Sequence, residues 1–115
     1  MQQRLRLTRN NDINRVRQDG QSLANALLVL VYLPNQLKHN RIAIIAGRSV
    51  GGAVQRNFAK RRLRSAIQSL ALKLNQGYDL VLIARKPILT VDYVSIVDGL
   101  NNLAGNAGLV KDEIH

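Results

Sequence analysis

Arg56, Asn57, Lys60, Arg61, Arg62 and Arg64 fall within nine consecutive positions, with no acid among them. Guanidinium and ammonium groups gathered this closely suit one kind of chemistry, the binding of phosphates, through charge-assisted hydrogen bonds and the release of condensed counterions. Hydrolysis by a protein-bound metal needs clustered carboxylates or histidines. The acids here, Asp12, Asp19, Asp79, Asp92, Asp98, Asp112 and Glu113, are scattered along the chain and missing from the basic segment. His39 sits in a polar loop and His115 is terminal. We therefore assign the chain no catalytic residue, no metal ligands and no bound cofactor of its own.

The basic residues occupy an awkward place. In GRSVGGAVQRNFAKRRLRSAIQSLALKL, residues 47–74, they follow a glycine-rich turn and fill the first turns of a helix, where the macrodipole disfavours cations by ~0.3–1 kcal/mol each. A phosphate docked on the free N–H groups of that turn would reverse the penalty. Gly51 and Gly52 mark a special backbone conformation in front of it. Ala59, Leu63, Ala66, Ile67, Leu70 and Leu74 form one apolar stripe, and Asn57, Lys60, Arg61 and Arg64 project on the side away from it, with Arg62 on the flank. Phe58 lies about 130° from the stripe, which predicts partial exposure.

The other elements follow from pattern. LTRNNDINRVRQDG predicts a short helix with Thr8 or Asn10 as cap, Ile13 and Val16 inward and Gly20 as its end. ALLVLVYL and RIAIIAGR predict two strands, and YDLVLIARK a third beyond the basic helix. TVDYVSIVDGLNNLAG predicts a last helix with Thr90 as cap and Val94, Val97 and Leu100 inward. A helix between apolar strands implies a βαβ unit, hence an α/β sandwich with a partly parallel sheet.

At 115 residues the chain is one domain, 1–115. With no cysteine, no apolar signal run in MQQRLRLTRNND and no apolar stretch long enough to span a bilayer, it is expected to be soluble and cytoplasmic. The formal charge of +10 implies a polyanionic partner. Its distribution is uneven: residues 20–78 hold nine Lys or Arg and no acid, whereas residues 79–115 hold three against five acids. A basic helix without Trp whose stripe reads as core argues for nucleic acid over a membrane surface.

The ordered segments GRSVGGAVQRNFAKRRLR, LTRNNDINRVRQDG, LVLVYLPN and YDLVLIARK together resemble the bacterial ribonuclease P protein subunit. The resemblance implies an α+β sandwich with an unusual left-handed βαβ crossover, where the default expectation is right-handed. It implies a protein that binds the catalytic ribonuclease P RNA and the 5′ leader of precursor tRNA, assisting an RNA-catalysed cleavage whose magnesium ions sit on the RNA. Residue by residue, Arg48 matches a basic turn position, Gly51, Ala53 and Val54 a Gly-x-Ala-Val motif, and Arg56 and Asn57 an Arg-Asn pair. Phe58, Lys60, Arg61, Arg62 and Arg64 continue the RNA-binding segment, and Arg85 and Lys86 match a later basic pair. Ile13, Val16 and Tyr32 match the leader-binding region. Phe58 stands where the family usually repeats arginine, Ser49 and Gly52 where lysine is common, Ser65 for a frequent glutamate, and Ile13 and Arg17 where phenylalanine is frequent. A structural RNA binder of the ribosomal-protein kind is the alternative.

Overall fold

The computed structural model describes residues 5–111; Asp112, Glu113 and His115 lie outside them. The elements are α1 (Asn10–Asp19), β1 (Gln21–Ala24), β2 (Leu28–Pro34), β3 (Arg41–Ile45), α2 (Ala53–Ser69), β4 (Tyr78–Ala84) and α3 (Tyr93–Asn106), with 3-10 turns at Ala71–Lys73 and Lys86–Leu89. The strands form one sheet in the order β1-β2-β4-β3. β1 and β2 make an antiparallel hairpin and β2 pairs antiparallel with β4, while β3 and β4 run parallel with α2 as their crossover. The sheet is mixed because only that last connection carries a helix.

Strand periodicity divides the core in two. Leu28, Leu30, Leu80 and Leu82 face α2 and α3, where they meet the predicted apolar stripe: Ala59, Leu63, Ala66 and Ile67 are buried on α2, while the helix ends at Ser69, so that Leu70 and Leu74 are buried beyond it, on either side of the Ala71–Lys73 turn. Val31, Ala43 and Val81 face the other way and meet Leu7 and Val16. Central β4 is covered on both faces, which is why its sequence reads as a nearly unbroken apolar run.

Several local expectations are corrected. The cap position of α1 is Arg9, with no side-chain hydrogen bond, not Thr8 or Asn10. At α3 the cap is Asp92, whose carboxylate accepts from the Ser95 N–H at 3.1 Å. Thr90 instead closes the 3-10 turn at Lys86–Leu89, which carries Pro87 near its start. The face of α3 that packs on the core is rotated from the expected one: Leu100 is inward as predicted, with Ile96, Leu103 and Ala104, whereas Val97 is half-buried at the edge and Val94 is 63% exposed. Strand β1 was not foreseen. Its four residues carry no pattern of their own and are held by the hairpin turn, in which Asn25 Oδ1 accepts from the N–H groups of Leu27 and Leu28. Of the two glycines before α2, only Gly51 adopts positive φ, at +148°; Gly52 is ordinary extended backbone. Gly20, which ends α1 as predicted, packs so closely that a Cβ there would collide with the carbonyl oxygens of Val16 and Tyr32.

Candidate nucleic-acid interface

Helix α2 follows Gly52 at its cap position, with no side-chain cap and no acid in its first turn, so the positive end of its dipole is not compensated by a side chain of the helix. Val54, Asn57, Lys60, Arg61 and Arg64 line one open depression of about 540 Å³ along the helix. A second depression, of about 220 Å³, lies between Leu7, Thr8 and Ile13 on the α1 side, the edge strand β3, and Arg64 of α2. Arg64 belongs to both. The cationic face of α2 and the space beside α1 are thus contiguous.

Helix α1 is too short to cover its face of the sheet. Beneath it lie Val31, Val81 and Ala43, paired across β2, β4 and β3 and all buried. One step along each strand, Val29, Ile83 and Ile45 form the next row, and these remain partly exposed. The result is a strip of apolar sheet surface bordered by Ile13 and ending near the basic helix.

Two carboxylates, Asp79 and Asp12, fix other cations in place. Asp79 is fully buried and accepts from Arg41 Nε at 2.9 Å and Nη2 at 2.8 Å, from Arg15 Nη2 at 3.1 Å and from Asn35 Nδ2 at 2.9 Å. Asp12 adds looser pairs, 3.8 Å to Arg41 and 4.0 Å to Arg15. Burial pushes the Asp79 carboxyl up, but the hydrogen bonds from Arg41 and Asn35 and the charges of Arg41 and Arg15 outweigh it and hold the group below the usual carboxylate range. The Arg41 guanidinium is raised in turn, chiefly by its hydrogen bond to Asp79. This network clamps α1 to the sheet and so sets the walls of the cleft. It was invisible in the sequence, where Asp79 stands 38 residues from Arg41 and 64 from Arg15.

The predicted RNA-binding residues separate by environment. Arg48, Asn57, Arg61, Arg85 and Lys86 are exposed, and Arg56, Lys60, Arg62 and Arg64 half-buried. Arg62 is engaged internally, its Nη1 donating to the Ile88 carbonyl at 3.0 Å and its guanidinium carbon lying 5.2 Å from the Phe58 ring centroid. Arg85 Nη1 donates to the Asn25 carbonyl at 3.1 Å. Arg48, Arg56, Arg85 and Lys86 line neither depression. Phe58 is 39% exposed, as its position on the helix predicted.

The predicted leader-binding trio does not stay together. Ile13 borders the cleft, whereas Val16 is completely buried beneath α1 and offers no surface. Tyr32 is on the opposite face of the sheet, packed against the α2 and α3 core, edge-on to Tyr78 at 6.3 Å and bonded through its hydroxyl to Gln21 at 2.8 Å. The reason is parity: odd-numbered residues of β2 face α1, so Val31 and Val29, not Tyr32, lie on the cleft side. Val29, Ile45 and Ile83 share the α1 face with Ile13, and the alternation along β2, β3 and β4 is the sequence signal that places them there.

Known proteins resemble most of this chain. The family described as Ribonuclease P matches residues 1–108. The ribonuclease P protein component of Chloroflexus aurantiacus is 35% identical over 111 residues, 96% of this chain and 82% of that protein. That of Dehalococcoides mccartyi is 38% identical over 106 residues, 92% of this chain and 87% of the other. Among solved structures, the Staphylococcus aureus RNase P protein superposes with a TM-score of 0.82 at 27% identity, covering 93% of this chain and 98% of its own. The Thermotoga maritima RNase P protein gives 0.78 at 29% identity, covering 85% and 93%.

Proposed function

The chain belongs to the ribonuclease P protein family, and on that premise we propose that it binds the catalytic ribonuclease P RNA through α2 and holds the 5′ leader of precursor tRNA beside α1. The observation that carries this reading is Arg64, shared between the cationic depression on α2 and the cleft bordered by Ile13. Lys60, Arg61 and Arg64 meet phosphates of the catalytic RNA, and Asn57 supplies a neutral amide beside them. Arg48, Arg56, Arg85 and Lys86 add longer-range attraction at the rim. Single-stranded leader lies against Ile13, Ile45 and Ile83, whose flat aliphatic surfaces accept a nucleotide without selecting its sequence. The phosphodiester is cleaved by the RNA with magnesium held on the RNA. The protein's part is electrostatic: it offsets phosphate repulsion and keeps the substrate aligned, which counts most when magnesium is scarce. Among the described residues no group of three His, Asp or Glu side chains lies close enough to share an ion. Within them no helix is long and apolar enough to cross a membrane.

The test is cleavage of a precursor tRNA at low magnesium by a bacterial ribonuclease P RNA with and without this protein. Cleavage should be restored by the protein in the presence of the RNA and be absent with protein alone. Hydrolysis by RNA-free protein, abolished by a chelator, would overturn the reading, and copurification with ribosomal RNA in place of one mid-sized structured RNA would favour a ribosomal role.

A further inference from the structure

Helix α2 has a second exposed flank that the cationic depression does not use. Phe58, Arg62 and Ser65 recur at four- and three-residue spacing, about 115° around the helix from Asn57, Lys60, Arg61 and Arg64. This flank faces α3. Ser65 Oγ and the Tyr93 hydroxyl are 2.9 Å apart, and Phe58 and Ser65 are two helical turns, or about 10 Å, from one another. Phe58 and Tyr93 are each 39% exposed and Val94 63%. Two aromatic rings therefore sit at the surface along one seam, with an arginine between them.

Resting on the RNA-binding role above, we propose that the α2/α3 seam is a second RNA-binding surface, on which Phe58 and Tyr93 stack against unpaired bases while the other flank of α2 holds phosphates. The two rings are held in place before anything binds. Arg62 lies 5.2 Å from the Phe58 centroid and is itself tethered to the Ile88 carbonyl, and Tyr93 is tied to Ser65. Side chains fixed in this way lose little freedom on binding. The surrounding field is positive: Arg61 lies 6.0 Å from the same ring, α2 contains no acid, and the neighbouring Asp92 carboxylate is engaged as the cap of α3. Stacking on an aromatic face tolerates any base, and Arg adds a cation–π component. A folded protein partner, including a second copy of this chain, fits less well, because three part-exposed side chains fall far short of the ~1,000 Å² that a specific protein interface buries. Where the family pattern has arginine at position 58, this chain trades a phosphate contact for a ring.

The experiment measures affinity of the full chain for a bacterial ribonuclease P RNA, as a function of salt, for Phe58→Ala, Phe58→Leu, Tyr93→Ala, Tyr93→Phe and the double variant Arg61→Ala/Arg64→Ala. Phe58→Ala, Phe58→Leu and Tyr93→Ala should each weaken binding roughly tenfold, with the slope of log K against log salt unchanged, and Tyr93→Phe, which keeps the ring but loses its tether to Ser65, should lose no more than about twofold. Unchanged affinity in the first three, with binding weakened in the arginine double variant, overturns the seam proposal alone. Unchanged affinity in all of them overturns the RNA-binding role of α2 as well. Equal losses in Tyr93→Phe and Tyr93→Ala would make the Ser65 bond the operative feature and overturn stacking at Tyr93. Self-association seen in sedimentation that Phe58→Ala abolishes would make a second copy the occupant and overturn the proposal.

Discussion

The cations around Asp79 and those on the outer face of α2 are the same kinds of side chain with opposite fates. Arg41 and Arg15 converge on a carboxylate that is fully buried, and with Asn35 they satisfy both of its oxygens. Lys60, Arg61 and Arg64 make no salt bridge and no side-chain hydrogen bond among the described residues. In the first region the protein completes its own charge balance and gains a fixed angle between α1 and the sheet. The second has no acid partner among the described residues. Net charge is thus a poor guide to which arginines stay unpaired, since what matters is whether an acid arrives by tertiary contact.

The largest effect that tests this contrast is on stability. Removing one partner of a buried pair strands the other charges, so Asp79→Ala should lower unfolding free energy by about 3 kcal/mol, read as an earlier denaturant midpoint. Arg61→Ala/Arg64→Ala should leave that midpoint where it is. Equal stability losses in the two variants would erase the distinction.

Binding should show the mirror image. The triple variant Lys60→Ala/Arg61→Ala/Arg64→Ala should bind ribonuclease P RNA about a hundredfold more weakly at moderate salt, with the slope of log K against log salt reduced in magnitude by two to three units, roughly one per lost phosphate contact. Arg85→Ala, at a residue that lines neither depression, should change the slope by well under one unit.

The split between the two regions also explains what the sequence could and could not reveal. The stripe from Ala59 to Ile67 and the cationic face opposite it depend on local spacing alone, and both are present as expected, whereas the helix stops before Leu70 and Leu74, which are buried by the turn that follows. Strand β4 was legible because burial on both faces leaves a continuous apolar run. The Asp79 clamp depends on contacts across 38 and 64 residues, so no local pattern announces it. Tyr32 was misplaced for a different reason. Its residue type suits base stacking, but strand parity assigns it to the far face, and a one-residue error on a strand inverts the side on which a side chain lies. At α3 the cap was placed too early, because the Lys86–Leu89 turn takes up Thr90 before the helix begins at its Asp92 cap.

Acid should weaken the internal clamp while sparing the outer face. The folded-state value of Asp79 is held below its unfolded one, so its contribution is complete above the ordinary carboxylate value of about 3.9 and is lost as pH falls through the lower folded value. The stability gap between the parent and Asp79→Asn should therefore be constant from pH 7 to about 5 and should narrow below about 4. A gap that instead closed between pH 7 and 5 would mean that Asp79 is not held ionised by its arginines.

Arg62 stands between the two regions and supplies the smallest and most discriminating effect. It sits on α2 among the free cations, yet its guanidinium donates to the Ile88 carbonyl and lies against Phe58, so part of its hydrogen-bonding capacity is already spent inside the protein. If internal engagement is what divides the arginines, Arg62→Ala should behave partly as a member of each set. The lost bond to a backbone carbonyl on a half-exposed side chain should cost about 1 kcal/mol, a shift of a few degrees in Tm. The salt slope for ribonuclease P RNA should change by less than half a unit, against about one for Arg61→Ala. Arg62→Lys separates charge from geometry, since lysine keeps the cation but cannot present the planar fork. It should preserve the salt slope and still show the loss in Tm. A full unit of slope lost in Arg62→Ala with Tm unchanged would move Arg62 into the phosphate-binding set and show that an internal hydrogen bond does not remove an arginine from RNA contact.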